Sequence, residues 1–370
     1  MSYLKDFCEI ITKGTTPSTY GYSFKNSGIK FIRSENITDS RIISKVSLYI
    51  SKEANEKLKR SILLKDDVLM SIAGAYLGKL ALITEMDLPA NTNQAVAIIR
   101  TDKSKLNPLY LYYYLSSYKM QCYINNVNAQ SAQPNINLQQ IGDININVPS
   151  LNYQQHIVDI IGSLDDKIEN NNKIIEKMNN LLNVKTNELL LYKTKKFQLN
   201  DIIEECKEKA EIELVPYSVI NTGKVIIQNE QFNKEIAKNT KGKYKKIKKD
   251  YFVYNPSRIN IGSIGVMEDE IGCVSPIYVV FKCIEEYKIY LQQLLTFDSM
   301  IKDINKRCSG SVRQALSFND LCSIEIYDIE KEKLKIYNKY CDSIIRITKK
   351  LEQENKLLEN QKKLYLAKFF

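Results

Sequence analysis

Residues able to carry out catalysis are few in this chain. His156 is the only histidine among its 370 residues, so a serine or cysteine hydrolase triad and a multi-histidine metal site are nearly excluded. The eight cysteines contain no Cys-x-x-Cys pair and follow no regular spacing, which indicates neither a zinc site nor a disulfide framework. We therefore expect no catalytic residue and no metal in this chain.

Two short segments match a phosphate-binding motif and a methyltransferase motif only in part. The run Gly74–Lys79 has one residue too few between its glycines for a phosphate loop, and Leu80 stands where Ser or Thr is required. The segment Asn255–Arg258 begins like the Asn-Pro-Pro-aromatic motif of adenine methyltransferases but lacks the second proline and the aromatic residue, and no glycine-rich cofactor loop precedes it. The chain alone should transfer no methyl group.

Polar and basic side chains offer a different chemistry. The 53 Lys and Arg exceed the 43 Asp and Glu, and the net charge of +10 favours an anionic partner, although genomic base composition also enriches Lys. Arg, Asn and Gln form paired hydrogen bonds with base edges, whereas Lys and hydroxyl groups mainly hold phosphates. Candidate DNA contacts of these types, with two tyrosines, lie in predicted loops or near the ends of predicted strands at Lys13, Thr15, Thr16, Tyr20, Arg33, Ser71, Tyr76, Asn91, Asn93, Gln94, Gln130, Gln133, Lys245, Asn255, Arg258, Asn260, Arg307, Arg313 and Gln314. Each alone also fits a solvated surface residue, so the prediction depends on their recurrence in both halves.

The elements that carry these loops are short strands followed by helices. β-Branched runs bounded by Gly, Asn, Asp and Pro predict strands in the first half at Lys30–Arg33, Asp67–Ile72, Lys79–Ile83 and Ala95–Arg100. Pro108 at a first helical position predicts a helix through about Asn125. No apolar run approaches the 18 residues of a membrane helix, and the start lacks a signal peptide, so we expect a cytoplasmic protein without a membrane partner.

The second half repeats the first. Six segments recur in the same order at offsets near 180 residues, which is the signature of a duplicated unit. The matched pairs are Asp67–Met70 with Asp250–Val253, Leu77–Leu80 with Ile261–Ile264, Gln94–Ile98 with Pro276–Val280, Met120–Ile124 with Met300–Ile304, Ser131–Ile146 with Ser311–Ile326, and Leu164–Lys173 with Ile347–Lys356. The repeat predicts globular parts at residues 1–150 and 197–328, followed by long spacer helices at residues 151–196 and 329–370.

Each predicted long helix carries a seam of apolar residues spaced three and four apart. In the first helix the seam is Ile157, Ile161, Leu164, Ile168, Asn171, Ile175, Met178, Leu182, Lys185 and Leu189, and in the second it is Tyr340, Ile344, Ile347, Leu351, Glu354, Leu358, Gln361 and Tyr365. Asn171 and Glu354 are polar residues at matching positions, where they would fix the register. A helix of about 40 residues is about 60 Å long, which exceeds the width of a small domain. The seams therefore favour an antiparallel coiled coil, with packing of each helix on its own domain as the alternative.

The chain resembles the specificity subunits of type I restriction-modification systems. The resemblance rests on Leu4–Phe7 leading to Thr15–Ser18, on Pro134–Ile136 before Val148-Pro149, and on Gln154-Gln155 leading to Ile160–Asp165. The second copy departs from it, with Tyr327-Asp328 and Lys333-Leu334 in place of Val-Pro and Gln-Gln, so the match there rests on periodicity and order.

The resemblance implies an α+β fold of two duplicated target-recognition domains, each a mixed sheet with helices followed by a long helix, the two long helices pairing as an antiparallel coiled coil. It implies a non-catalytic subunit that reads an interrupted two-part site in double-stranded DNA and directs two adenine methyltransferase subunits. S-adenosylmethionine would bind to those partners and no cofactor to this chain. Whether nuclease or translocase subunits join is left open. The alternatives are a DNA-binding scaffold or a protein-interaction scaffold of another defence system with the same fold.

Overall fold

The computed structural model describes residues 2–38, 41, 43, 46–127, 134–228, 240–308 and 315–370. The chain forms two compact units. The first unit comprises Met1–Asn172 together with Glu352–Phe370, and the second comprises Lys173–Leu351. In the described parts of the chain, every helix is too short or too polar to cross a membrane.

The first unit contains two sheets and the helices that cover them. Its strands are β1 Cys8–Lys13, β2 Ile29–Ile32, β3 Tyr49–Ile50, β4 Val68–Ser71, β5 Leu80–Leu82, β6 Ala90–Thr92 and β7 Val96–Thr101. Its helices are α1 Lys52–Lys57, α2 Pro108–Ser116, α3 Tyr118–Asn126, α4 Leu138–Gly142 and the start of α5 Leu151–Leu189. The antiparallel sheet has the order β1-β7-β4-β5, and the smaller sheet has the order β3-β2-β6 with β2 and β6 parallel.

The second unit contains three sheets. Its strands are β8 Lys193–Gln198, β9 Ile203–Glu205, β10 Pro216–Val219, β11 Val225–Ile227, β12 Lys245–Lys248, β13 Phe252–Tyr254, β14 Ile264–Val266, β15 Ile271–Val274, β16 Val279–Cys283 and β17 Glu325–Ile329. Its helices are α6 Glu285–Leu294, α7 Asp298–Arg307, α8 Phe318–Cys322 and the start of α9 Lys331–Phe369. The sheet orders are β14-β13-β16-β9, β11-β10-β15-β12 and β17-β8.

The central strands of the first unit are apolar on both faces, because each face packs on a different layer. Alternate side chains of a strand point to opposite faces. Val68 and Met70 of β4 join the core beneath the helices, whereas Leu69 between them joins the core shared with the smaller sheet. The side chains of β13 alternate in the same way in the second unit. Phe252 and Tyr254 join the core on the helix side, and Val253 joins the core on the other face.

The two units share one strand framework, which supports the repeat. The order β1-β7-β4-β5 recurs as β9-β16-β13-β14 with all neighbours antiparallel, and the parallel pair β2/β6 recurs as β10/β15.

The sequence alignment at β4 was wrong by one residue. Val68 lies opposite Leu82 and Ile99, as Phe252 lies opposite Val266 and Phe281, so Val68 corresponds to Phe252 rather than to Tyr251. The turn before each strand explains the shift. It needs a residue with positive φ, and Asp66 (71°) and Asp250 (67°) take that position, which Asp tolerates better than most residues.

Two predicted helix boundaries also need correction. The helix expected at Pro108–Asn125 is two helices, because the Ser117 backbone is extended and its hydroxyl accepts a hydrogen bond from the Met120 amide (3.4 Å), capping α3. The first long helix ends at Leu189 rather than near Thr194. The residues after it form β8, which pairs antiparallel with β17.

The predicted antiparallel pairing of the long helices is confirmed. In the first unit, Lys362 of α9 contacts Asp165 of α5 (2.6 Å) and Asn355 contacts Asn171 (2.9 Å), so residue numbers fall along α9 as they rise along α5. In the second unit, the hydroxyl groups of Thr186 and Tyr337 share a hydrogen bond (2.8 Å).

Packing of each helix on its own domain occurs as well. Ile157 and Ile161 belong to the core of the first unit, and Leu334 and Ile344 belong to the core of the second. Each long helix therefore contacts both a domain core and the other long helix.

The predicted seam holds along α5 and is half wrong along α9. Along α5, Ile157, Ile161, Asn171 and Leu182 are buried, and Leu164, Ile168, Ile175 and Met178 are half-buried. Along α9, Ile344 and Leu358 are buried and Leu351 is half-buried, but Ile347 is 44% exposed and the buried polar residue is Asn355 instead of Glu354. The side chains that pack inward are Leu334, Tyr337, Cys341, Ile344, Asn355, Leu358 and Leu366. Along α9, every second position of the predicted seam therefore lies one residue before the side chain that packs inward.

Candidate nucleic-acid interface

In the first unit, several loops meet at one edge of the two sheets. Lys13 at the end of β1 lies opposite Ala97, Ser71 at the end of β4 lies opposite Val96, and Ile32 at the end of β2 lies beside Thr92 at the end of the parallel β6. The loops leaving these strands therefore share the edge. We call Lys13–Tyr20, Arg33, Ala73–Tyr76 and Asn93–Gln94 the first edge.

The loops of the first edge are packed against each other. A Cβ atom at Gly14 would lie 1.9 Å from the Thr92 carbonyl oxygen, so only glycine lets the two loops approach this closely. Beside this contact the Thr16 hydroxyl donates a hydrogen bond to Gln94 Oε1. Asn93 Oδ1 accepts from the Ala95 amide (3.2 Å). The polar groups of this edge are thus held by the backbone turns.

Exposed aromatic and cationic groups accompany them. Tyr20 is 51% exposed and Tyr76 is 38% exposed. The Lys57 and Lys79 ammonium groups each lie 5.5 Å from the centre of one of these rings, within the range of cation–π attraction. Arg33 pairs with Glu35 and keeps about a third of its side chain exposed. Positive charge and flat apolar rings are therefore both available to a ligand on this edge.

Two predicted contacts of the first unit lie inside the fold instead. Asn91 is fully buried, and its Nδ2 donates to Asn55 Oδ1 (2.9 Å) and to the Leu58 carbonyl (3.3 Å). It fastens β6 to α1 and cannot reach a base edge. Ser71 is also fully buried, and its hydroxyl has no hydrogen-bond partner among the described residues. Both stand at strand ends, where sequence alone does not separate a buried residue from a loop residue.

The second unit has a corresponding edge. Tyr254 at the end of β13 lies opposite Val279 and Ile264, the first residues of β16 and β14. The turn after β10 reaches the same place, because the Ser263 hydroxyl donates to the Val219 carbonyl (2.9 Å) and a Cβ at Gly262 would lie 2.5 Å from the Asn221 oxygen. We call Ile220–Gly223, Asn255–Gly262 and Ser275–Ile277 the second edge.

Three predicted contacts lie on the second edge and differ in exposure. Arg258 is exposed, and its guanidinium has no partner within the described ranges. Asn260 is half-buried. Asn255 is 9% exposed, and its Oδ1 accepts from the Ser257 amide (3.1 Å), so it shapes the loop. Among these three, Arg258 is the side chain most open to a base or a phosphate.

The predicted basic residues outside this edge are engaged within the protein. Lys245 donates from Nζ to the Tyr278 carbonyl (2.7 Å), and burial lowers its pKa. Arg307 donates to the Ser323 hydroxyl (2.6 Å) and joins α7 to the end of α8. Both side chains are half-buried, and their contact with DNA stays a prediction. Four predicted contacts, Gln130, Gln133, Arg313 and Gln314, lie outside the described residues.

Residues 241–249 contain six lysines, and three of them pair with acidic residues. Lys246 and Lys248 pair with Glu208, and Lys249 pairs with Glu270. This segment therefore offers less free positive charge than its sequence indicates.

Side chains that sequence reasoning missed also lie on the second edge. Ile261 is 57% exposed and Ile277 is 62% exposed. The Asn221 carbonyl closely approaches Gly262, the residue that follows Ile261. No sequence pattern distinguishes two exposed isoleucines from core residues, since apolar residues are ordinarily assigned to the interior.

A polar cluster joins the paired helices of the first unit. Asp165 is 7% exposed and accepts from the Tyr113 hydroxyl (2.9 Å) and from Lys362 Nζ (2.6 Å). Burial and the negative charge of Asp165 raise the pKa of Tyr113 well above its usual value, so its hydroxyl stays a donor. In the regions that the structure covers, no group of three or more His, Cys, Asp or Glu side chains could hold a metal ion.

Arg41 forms a second ionic contact with α5. It pairs with Asp166 (2.6 Å) and Glu169 (2.7 Å). Burial acts to lower the pKa of Arg41, but its hydrogen bonds to the two carboxylates outweigh burial and raise it. These contacts join the Arg41 side chain to α5.

Comparison with known proteins matches this architecture to one family. Residues 1–180 match the model described as type I restriction modification DNA specificity domain. The type I restriction enzyme EcoBI specificity subunit of Escherichia coli is 32% identical over 158 residues, which cover 42% of this chain and 33% of that protein. The putative type I restriction enzyme MjaX specificity subunit of Methanocaldococcus jannaschii is 28% identical over 180 residues, which cover 48% of this chain and 41% of that protein.

The fold is also found over the full length of a solved structure. The crystal structure of the type I restriction-modification system S subunit from M. genitalium superposes with a TM-score of 0.61 at 14% identity, covering 100% of this chain and 95% of that one. This likeness concerns the fold and includes the second unit, which the family model does not reach.

Proposed function

Because the first half of this chain belongs to the type I restriction-modification DNA specificity family, we propose that the chain is the sequence-reading subunit of such a system. It binds a two-part, interrupted site in double-stranded DNA. It carries no catalytic residue and directs two adenine methyltransferase subunits to that site, and it acts in the cytoplasm. S-adenosylmethionine binds to those partners, and a nuclease subunit joins where restriction accompanies methylation.

The observation that carries the proposal is the duplicated edge. Both units have the same strand order, and both gather their polar loops at the same end of it. The first edge offers Arg33, Gln94 and two exposed tyrosines, and the second offers Arg258 and Asn260. Arg, Asn and Gln are the side chains that discriminate bases by paired hydrogen bonds. Two such edges in one chain fit a site with two parts.

The paired helices support the assignment of partners. They stand outside both edges, and their outer faces remain exposed at Leu357 (69%) and Leu364 (72%) in the first unit and at Ile336 (65%) in the second. Leu357 and Leu364 lie seven residues apart on one face of α9, and this pair of exposed apolar side chains is the proposed contact for a protein partner. We assign the methyltransferase subunits to these helices and the DNA to the edges.

Mapping of methylated adenines tests the proposal. Cells that carry the chain and its methyltransferase should show N6-methyladenine at one interrupted sequence, and cells without the chain should lack it. Replacing residues 1–150 by the equivalent part of a relative should change one half-sequence and leave the other. Methylation that is unchanged without the chain would instead favour a scaffold role, and simultaneous change of both half-sequences would contradict two independent readers.

A further inference from the structure

Two isoleucines on the second edge are exposed among polar loop residues. Ile261 ends the short 3-10 helix that follows Arg258, and Ile277 lies in the turn that leads into β16. Their exposures of 57% and 62% are far above those of the core isoleucines, such as Ile259 at 3%. Because β13, β14 and β16 pair in register at this end, both loops stand at the same end of the sheet.

The exposure of these isoleucines is specific to the second unit. The strand register makes Leu77 the counterpart of Ile261 and Ala95 the counterpart of Ile277. Leu77 packs against the core of the first unit, and Ala95 is half-buried. The second unit therefore exposes aliphatic side chains at two positions whose counterparts in the first unit are half-buried.

Double-stranded DNA offers one apolar group to such a surface. In the major groove, the base edges display hydrogen-bond donors and acceptors, and thymine alone adds a 5-methyl group. We propose that Ile261 and Ile277 read thymine through this methyl group, in the half-sequence bound by the second unit, while Arg258 contacts a neighbouring base edge or phosphate. The inference rests on the proposed function and adds the chemistry of one of its half-sites.

Selection from two duplex libraries tests the inference with the full chain and its methyltransferase partner. One random-sequence library contains thymine, and the other contains uracil in its place, which removes the methyl group and keeps the hydrogen-bonding pattern. From the thymine library, the chain should select two half-sequences. Replacing residues 1–150 by the equivalent part of a relative identifies the half read by the second unit, because that half-sequence alone should stay unchanged.

In that half we expect at least one thymine position whose enrichment falls about fourfold in the uracil library, the fold-change that corresponds to one buried methyl group at about 0.8 kcal/mol. Ile261→Ser or Ile277→Ser should reduce the same enrichment in the thymine library and cause no further loss in the uracil library. Ile212→Ser is the matched control, since Ile212 is 64% exposed and precedes β10 at its opposite end.

The outcomes separate this inference from the proposed function. If the wild-type chain selects no sequence from the thymine library, the DNA-reading function itself is wrong. If it selects two half-sequences that are the same with uracil, and the isoleucine variants select them equally well, the function stands and the thymine contact is refuted. The uracil library needs no variant, so failure of a variant to fold does not affect this result.

Discussion

Removal of the Asp165 carboxylate should destabilise the first unit by several kcal/mol. Asp165 joins α5 to α9 through Lys362, whose side chain is 17% exposed, and to α2 through the fully buried Tyr113. Asp165→Ala leaves the ammonium group without its counter-ion and the phenol without its acceptor. Breaking a buried ion pair costs about 3 to 5 kcal/mol, and an orphaned hydroxyl adds about 1 to 3 kcal/mol.

The partial exposure of Lys362 lowers this figure, because water can reach the ammonium group. We therefore expect a loss of about 3 to 4 kcal/mol in the free energy of unfolding. For a unit of roughly 200 residues, each kcal/mol shifts the melting temperature by about 2 to 4 °C. Thermal unfolding followed by calorimetry and circular dichroism should show the transition of the first unit about 6 to 16 °C lower.

The neighbouring residue supplies the matched control. The Asp166 side chain is 72% exposed and pairs with Arg41, so Asp166→Ala should cost no more than about 1 kcal/mol. The triple change Asp165→Leu, Lys362→Met and Tyr113→Phe replaces the polar cluster by apolar groups and should recover most of the stability. Equal effects of Asp165→Ala and Asp166→Ala, or no recovery in the triple variant, would show that the cluster is unimportant for holding the helices.

Four further predictions concern single side chains. Arg258→Ala should cost about 1 to 3 kcal/mol on duplexes with the preferred base and little on others, if it contacts a guanine edge; equal loss on all duplexes in binding titrations would make it a phosphate contact. Asn91→Ala should lower the free energy of unfolding by about 1 to 3 kcal/mol, because it leaves the buried hydrogen-bond partners of Asn91 unsatisfied. Gln94→Ala should weaken DNA binding without a measurable change in melting temperature. Hydrogen bonds from Lys167 and Asn171 lower the pKa of Glu354 from 4.5. The stabilising effect of the Glu354 carboxylate is therefore present above about pH 4.5 and lost as the pH falls below that. Glu354→Gln should make the melting temperature depend less on pH between pH 3 and pH 6 than it does in the wild-type chain.

Four of the seven strands of the first unit, β2, β4, β5 and β7, could be predicted from sequence because they lie in apolar runs bounded by turn residues, whereas β1, β3 and β6 were not predicted. Repetition added what a single copy lacked, since the same runs recurred in the same order. The register at β4 could not be predicted, because Asp66 and Asp67 are adjacent and chemically identical. Only the backbone shows that Asp66 adopts the positive φ and that Asp67 pairs with Arg100 (2.7 Å) beneath the sheet.

The candidate interface was predicted less well than the fold. Asn91 and Gln94 are three residues apart with similar amide side chains, yet Asn91 is buried beside Asn55 and Gln94 is exposed on the first edge. Residue type predicts which hydrogen bonds a side chain can form but not whether its partner is protein or DNA. Lys246 and Lys248 illustrate the same limit, because their acidic partner Glu208 is distant in sequence.

The seam of α9 shows a different limit. The predicted and the observed seams differ only in the order of their steps of three and four residues. Both contain every seventh residue, so Ile344, Leu351 and Leu358 fit both seams. The intermediate positions decide the register. Ile347 is more apolar than Thr348, and apolarity therefore favoured the wrong choice, whereas the structure exposes Ile347 and turns Thr348 inward.

The loops after β4 and β13 show how one framework can carry two specificities. Ser71 donates its amide to the Lys79 carbonyl (2.9 Å) and Asn255 donates to that of Ser263 (3.1 Å), so the two loops have equal length. Each ends in a left-handed glycine, Gly78 at φ 79° and Gly262 at φ 89°. The backbone hydrogen bond and the left-handed glycine that shape the loop are therefore the same in both units.

The side chains displayed on that constant turn differ at every exposed position. The register places Gly74 where the second unit has Arg258, Tyr76 where it has Asn260, and Leu77 where it has Ile261. One loop thus presents an aromatic ring, and the other presents a guanidinium, an amide and an exposed aliphatic group. Base edges are distinguished by the chemistry presented to them. Under the proposed function, equal loops with unequal side chains therefore predict two different half-sequences and an asymmetric site.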